Sequence, residues 1–137
     1  MILAEQPLLS PRPGSTLKNM DFLIKLALAV NPGAFMELAP RTSNSSLVDK
    51  YKRNAFMFAG YPAILFNGAI FNHSCTPNVH FAPNVEKTLM IFTTTRDILE
   101  GEELCDSYTT QCTSIGAAHI RLKSQYGFTC NCSQSQS

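Results

Sequence analysis

Charge is scarce in this chain. Only 15 % of its 137 residues are Asp, Glu, Lys or Arg, and eleven basic against ten acidic side chains leave a formal net charge of +1. No electrostatic steering toward nucleic acid or an anionic membrane follows from that balance. The local run Lys50, Lys52, Arg53 reads as a solvated helix face. Long apolar runs are missing too. Phe22–Val30 is broken by Lys25, and Gly60–Phe71 by Pro62 and Asn67, whereas a membrane span needs about 20 apolar residues. No basic stretch precedes an apolar one at the N-terminus, so no secretory signal is expected and the reading places the chain in the nucleus or cytoplasm. The glycosylation sequons at Asn44, Asn72 and Asn131 are then chance matches or residues with another task. No internal repeat is visible, and low complexity is confined to Ser133–Ser137.

What is present is a core. Hydrophobic residues make up 45 % of the chain, too many for a disordered segment. Five cysteines are an odd number, and without an export signal they read as thiols or metal ligands rather than as a disulfide framework. Ile2–Leu9 reads as a strand ended by Ser-Pro-Arg-Pro-Gly. Ser15 or Thr16 can cap a helix to about Val30, with Leu17, Met20, Leu23 or Ile24, Ala27 and Leu28 at helical spacing and Asn31-Pro-Gly as its stop. A second helix opens at Asn44–Ser46, where Ser46-Leu-Val-Asp49 has a capping-box pattern and Leu47, Tyr51 and Ala55 share a face. From Phe56 onward interleaved aromatics, Pro, Gly and Asn suit short strands and tight loops. Leu89–Thr95 is a β-rich run, another short strand is expected through Tyr108, and Ala117–Gln125 a short helix.

Three clusters carry chemistry. Asn72-His-Ser-Cys-Thr-Pro-Asn78 brings two amides, an imidazole and a thiol into seven residues directly after an apolar stretch. Such groups are costly to bury unless they are paired. The second cluster is Gly101-Glu-Glu-Leu-Cys-Asp-Ser-Tyr108, and the third is Tyr126-Gly-Phe-Thr-Cys-Asn-Cys132.

In this order and at these separations the clusters resemble the SET-domain protein-lysine methyltransferases, from about Asn54 to Cys132, with a weaker likeness at Ile2–Leu9. Asn54-Ala-Phe56 and Leu122-Lys-Ser-Gln-Tyr-Gly-Phe-Thr-Cys are most similar to the SET-and-MYND subgroup and its MYND-less relatives. The resemblance implies a β-rich α+β fold of small sheets around a pseudoknot, with an inserted helical region at 16–55. It divides the chain into a partial SET domain, 1–127, and an incomplete post-SET-like tail, 128–137. The family's Gly-x-Gly strand-turn, expected ahead of Ile2–Leu9, and a MYND finger are not among these 137 residues, as expected of a truncated sequence or of a degenerate relative.

By the same resemblance the chain passes a methyl group from S-adenosylmethionine to a protein lysine, with a histone tail among the substrates allowed. Tyr108 matches the family's catalytic tyrosine, which orients the lysine amine and also borders the cofactor. Asn72 and His73 match residues that hold the cofactor's two ends, Asn54 one that reaches the cofactor in the subgroup, and Phe128 the tail aromatic that covers the adenine. Cys75, Cys130 and Cys132 match three ligands of a zinc site. At the position of the fourth stands Ser135, a poor ligand. Cys105 reads instead as a small buried hydrophobe.

Two other readings account for the same residues. One is a catalytically impaired SET fragment that binds a protein partner, favoured by the missing Gly-x-Gly segment and by Ser135, and opposed by Tyr108, Asn72 and His73. The other is a Cys-His hydrolase built on Cys75 with His73 or His80, for which the sequence supplies neither an oxyanion hole nor an orienting group.

Overall fold

The structure is a computed structural model that describes residues 2–40, 46–108 and 115–126. Among the described residues, eight short strands and four α-helices follow one another as β1 (Ile2–Glu5), β2 (Leu8–Leu9), α1 (Leu17–Val30), α2 (Pro32–Met36), α3 (Leu47–Asn54), β3 (Phe56–Phe58), β4 (Tyr61–Ile64), β5 (Asn72–His73), β6 (Val79–Asn84), β7 (Leu89–Thr94), β8 (Cys105–Asp106) and α4 (Ile115–Arg121). A 3₁₀ turn lies at Gly68–Ile70, and α4 continues into a wider π-type turn at Leu122–Tyr126. The strands form three small sheets, in the orders β1-β7-β6, β2-β4-β3 and β5-β8. This is the α+β arrangement of small sheets expected from the sequence. Among the described residues no helix is long and apolar enough to cross a membrane.

The chain divides into two compact units. One holds Ala4–Ile70 and Ala82–Ile91, and the other holds the remaining described residues. The first is helical on one side of a hairpin sheet. Thr16 Oγ1 accepts from Asn19 N at 3.1 Å and caps α1, which satisfies one of the orphan donors of the first turn. Leu23 and Ala27 are fully buried, but Leu17 is 79 % exposed, so the apolar stripe begins a turn later than its spacing implied. Asn31-Pro-Gly ends α1 and also starts α2. The Asn31 side chain accepts from Ala34 N at 3.1 Å, with Pro32 at the first helical position, where its missing N–H costs nothing. Asn19 is buried on α1 and bridges outward, donating to the carbonyls of Arg12 at 3.1 Å and Gly14 at 2.6 Å and meeting the Ser10 hydroxyl.

Ser46 Oγ accepts from Asp49 N at 3.1 Å and caps α3. Tyr51 on α3 joins Leu23 and Ile64 in one apolar cluster, and Ala27, Phe35 and Leu38 form a second. The β3–β4 hairpin pairs Phe58 with Tyr61 across Ala59-Gly60, both with positive φ, 51° and 89°. That is the backbone of a two-residue primed turn, whose twist matches the strands it joins.

One buried charge holds the first unit's loop. Lys50 is 2 % exposed, and its Nζ donates to the carbonyls of Met36 at 2.9 Å, Leu38 at 2.8 Å and Pro40 at 2.6 Å. All three ammonium hydrogens thus meet acceptors, the condition under which a buried cation is tolerated. Replacing Lys50 with Met would strand three carbonyls. We expect Lys50→Met to lower the unfolding free energy by about 3 kcal/mol. Lys50→Arg should not restore it, because the guanidinium fork does not match three converging acceptors. Urea denaturation checks both, and a loss under about 1 kcal/mol in Lys50→Met would show that water replaces the ammonium.

Candidate functional site

The second unit concentrates polar chemistry on β5 and β8. Their parallel pairing sets Asn72 opposite Cys105 and His73 opposite Asp106. Ser74 N donates to Asp106 O at 2.9 Å and extends the ladder. Asn78 then closes it. Its backbone N–H donates to Cys105 O at 3.1 Å and its carbonyl accepts from Thr95 N at 2.9 Å. Its side chain donates to Glu103 O at 2.9 Å and accepts from Cys105 N at 2.8 Å. A buried amide used in this way stands in for a strand residue, satisfying backbone groups that lack a ladder partner. Phe71 and Phe81 each pack against Phe92 in this unit, with ring centroids 5.3 Å apart for Phe71–Phe92 and 5.7 Å for Phe81–Phe92.

Tyr108 is held at both ends. Its N–H donates to His73 Nδ1 at 3.0 Å, its hydroxyl donates to Phe71 O at 2.5 Å, and its ring lies 5.3 Å from the imidazole. Because Nδ1 accepts, the neutral ring carries its proton on Nε2, which faces Cys75 Sγ at 3.4 Å. Burial, and secondarily the charge of His119, pushes the His73 pKa down, which favours that neutral form. Asn72, exposed at the start of β5, donates from Nδ2 to Glu103 Oε1 at 2.7 Å. The turn before β8 is fixed by Glu102, which binds Arg96 and accepts from Leu99 N at 3.0 Å. The hydrogen bond from Arg96 leads the causes that bring its carboxyl down to about 2.

Of the sequence-predicted site residues, Asn72, His73, Cys75 and Tyr108 are brought together in this one unit. Asn54 belongs to the other unit, where Nδ2 donates to Ala39 O at 2.5 Å and Lys50 O at 2.7 Å. A ligand would have to be met through Oδ1. Phe128, Cys130, Cys132 and Ser135 lie outside the described residues, as does Cys112. Cys105 is half-buried, and its thiol is pushed up to about 11, chiefly by burial and then by the charge of Glu103. It is therefore a protonated thiol at neutral pH, in keeping with its reading as a small hydrophobe. Among the described residues no group of three His, Cys, Asp or Glu side chains could hold a metal ion. His73 does not make good the shortfall, since its Nε2 carries the proton. The described residues alone therefore do not make a zinc site.

Two residues of this unit were not singled out from the sequence. Glu103 sits inside a recognised motif, so its contact with Asn72 had a signal that went unused. Asp106 lies in the same motif, but nothing there signals its burial, since an acidic residue in a short strand reads as solvent-facing. It is 1 % exposed, and its Oδ1 has no hydrogen-bond partner.

Residues 4–109 match the SET domain family, and the chain belongs to that family. It is 48 % identical over 83 residues to a putative SET domain-containing protein of Acanthamoeba polyphaga mimivirus, a stretch covering 61 % of this chain and 32 % of that protein. It is 39 % identical over 64 residues to the protein-lysine N-trimethyltransferase SMYD5 of Gallus gallus, 44 % of this chain and 15 % of the relative. With the histone-lysine N-methyltransferase SET5 of Scheffersomyces stipitis it shares 31 % identity over 106 residues, 72 % of this chain and 21 % of the relative. The chain thus spans about a third or less of the length of these relatives.

Asp106 sets a pH dependence. Burial raises its carboxyl from 3.8 to about 7, so folding favours the protonated form. The stability it contributes is fully present below about pH 4, declines as the pH rises toward 7, and is lost above that. Wild-type protein should therefore lose at least about 1 kcal/mol between pH 5 and pH 8 relative to Asp106→Asn, which has no such proton to lose. Paired thermal melts at the two pH values check this. Parallel shifts of the two proteins would show that Asp106 reaches water or a cation.

Proposed function

We propose that the chain carries out methyl transfer from S-adenosylmethionine to a lysine side chain of a protein, with histones among the substrates to test first. The observation that carries this reading is the coupling of Tyr108 to both ends of the β5 segment, through His73 Nδ1 and Phe71 O. The relatives named as lysine methyltransferases support the reaction class. The residues present fit the cofactor. The exposed Asn72 amide and the Glu103 carboxylate it bonds suit a positively charged group, and the half-buried His73 and Tyr108 rings suit a ring or cationic surface.

When bound, S-adenosylmethionine supplies an electrophilic methyl group on a sulfonium. The chain's share is then orientation. The Tyr108 hydroxyl gives its one proton to Phe71 O, so toward an incoming amine its oxygen acts as an acceptor. Accepting from the amine N–H fixes the direction of the nitrogen lone pair, and such alignment supplies several kcal/mol of a barrier. The lysine, with an ordinary pKa of about 10.4, must enter neutral. Desolvation beside the half-buried His73 and Tyr108 rings favours the uncharged amine.

Tyr108→Phe should lower kcat about a hundredfold while leaving cofactor affinity within a few-fold. The assay is transfer of isotope-labelled methyl to histones and to a mixed protein substrate, with lysine methylation read by mass spectrometry. Full activity in Tyr108→Phe would overturn the role given to the hydroxyl. Zinc belongs to this proposal through the resemblance of Cys75, Cys130 and Cys132 to family ligands, and no step of the transfer passes through it. Elemental analysis should find zinc in the wild-type chain and markedly less in Cys75→Ser. Equal content in both would exclude Cys75 as a ligand.

A further inference from the structure

Glu103 is exposed and is part of neither the Lys25–Asp21 nor the Arg96–Glu102 ion pair. Its carboxylate accepts from Asn72 Nδ2 at 2.7 Å, and the Cys105 thiol is also hydrogen-bonded to it. An ionised carboxylate has acceptors and no donor. The amide that faces it must therefore present its NH₂ side, which turns Oδ1 away from Glu103. An exposed side-chain amide without such a neighbour can present either end to a ligand. Here the backbone supports one choice, because Asn72 and the segment after Glu103 are paired strand to strand. The outcome is a carbonyl oxygen and a full negative charge side by side on one surface. That combination attracts an ammonium group and repels a carboxylate.

We infer that Glu103 is a positioning and charge-selecting residue for the cofactor site: it sets the Asn72 amide with Oδ1 toward the ligand, and it favours ligands that carry an ammonium group. The inference rests on the proposal that Asn72 meets S-adenosylmethionine. It goes further in naming the residue that controls recognition of the amino end. Glu103 acts partly through Asn72, so a test must separate loss of selection from loss of structure.

S-adenosylhomocysteine and methylthioadenosine make that separation, because the second lacks the aminoacyl end. Calorimetry gives the first affinity and competitive displacement the second, each on the full chain. Glu103→Ala should weaken S-adenosylhomocysteine about tenfold. Glu103→Gln keeps an acceptor for Asn72 but drops the charge, and should weaken it about threefold. Methylthioadenosine should hold within about twofold in both variants. Both side chains are exposed, so melting temperatures should stay near wild type. Unchanged S-adenosylhomocysteine affinity in Glu103→Ala would overturn the inference. Parallel weakening of both ligands would also overturn it, by showing that Glu103 only supports structure. If the wild-type chain binds neither ligand, the proposed function falls first and this inference with it.

Discussion

Asn78 bonds through its backbone N–H, its carbonyl and both ends of its side chain. The partners lie at Thr95 and at Glu103–Cys105, so one residue ties a loop to two segments far along the chain. Neither β5 nor β8 is longer than two residues, and two-residue strands have little stability of their own. The amide supplies the missing rungs. Once Cys105 is held against it, the register of β8 on β5 follows, and with it the placing of Asp106 and Tyr108 opposite and beyond His73. Everything described at the candidate site is downstream of that clamp. Asn suits the task because its side chain repeats the donor and acceptor of a peptide group and can therefore stand in for backbone.

The first unit solves a related problem with different chemistry. There a loop after α2 is drawn in by the Lys50 ammonium rather than by an amide, and Asn54 one turn further along α3 adds a bond to Ala39 O. In both units irregular backbone is made to behave as ordered structure by a buried polar side chain whose hydrogens are used. Interiors of this kind tolerate substitution poorly, since removing the side chain leaves acceptors without water or donor.

Much of this was legible in the sequence. The caps at Thr16 and Ser46 were readable because short hydroxyl side chains before an apolar period have one dominant use. The likeness of residues 72–78 and 101–108 to family motifs singled out the segments that the structure pairs and the tyrosine that it bonds to His73. Where reading from sequence fell short, the reasons were local. Asn31-Pro-Gly looks like a terminator, and the same residues are good helix starters, so α2 was missed. Ile2–Leu9 reads as one strand, but Pro7 cannot continue a ladder through its nitrogen, and the run divides into β1 and β2 in different sheets. Leu17 fits the apolar period and is exposed, because the first turn of a helix can extend beyond the core it serves. The burial of Asp106 carried no pattern at all: period and propensity report on apolar residues, and a lone acid in a two-residue strand is invisible to both.

Three carboxyls near the site are treated in three ways, and the difference bears on the chemistry proposed. Glu102 is held ionised by Arg96 and serves the turn. Glu103 is exposed and directed at Asn72. Asp106, two residues before Tyr108, is buried and inclined to stay protonated up to about pH 7. A lysine amine can attack only when neutral, and a fixed carboxylate close to it would hold its proton on. Placing one acid outward against an amide, and keeping the inner one largely uncharged below about pH 7, separates the two demands. Negative charge stays where a cationic ligand can be recruited. The interior around the tyrosine carries little of it. The cost falls on stability, since a buried acid with one oxygen unpartnered weakens the fold as it ionises. Violations of ordinary burial rules of this kind concentrate where a structure has something besides stability to serve.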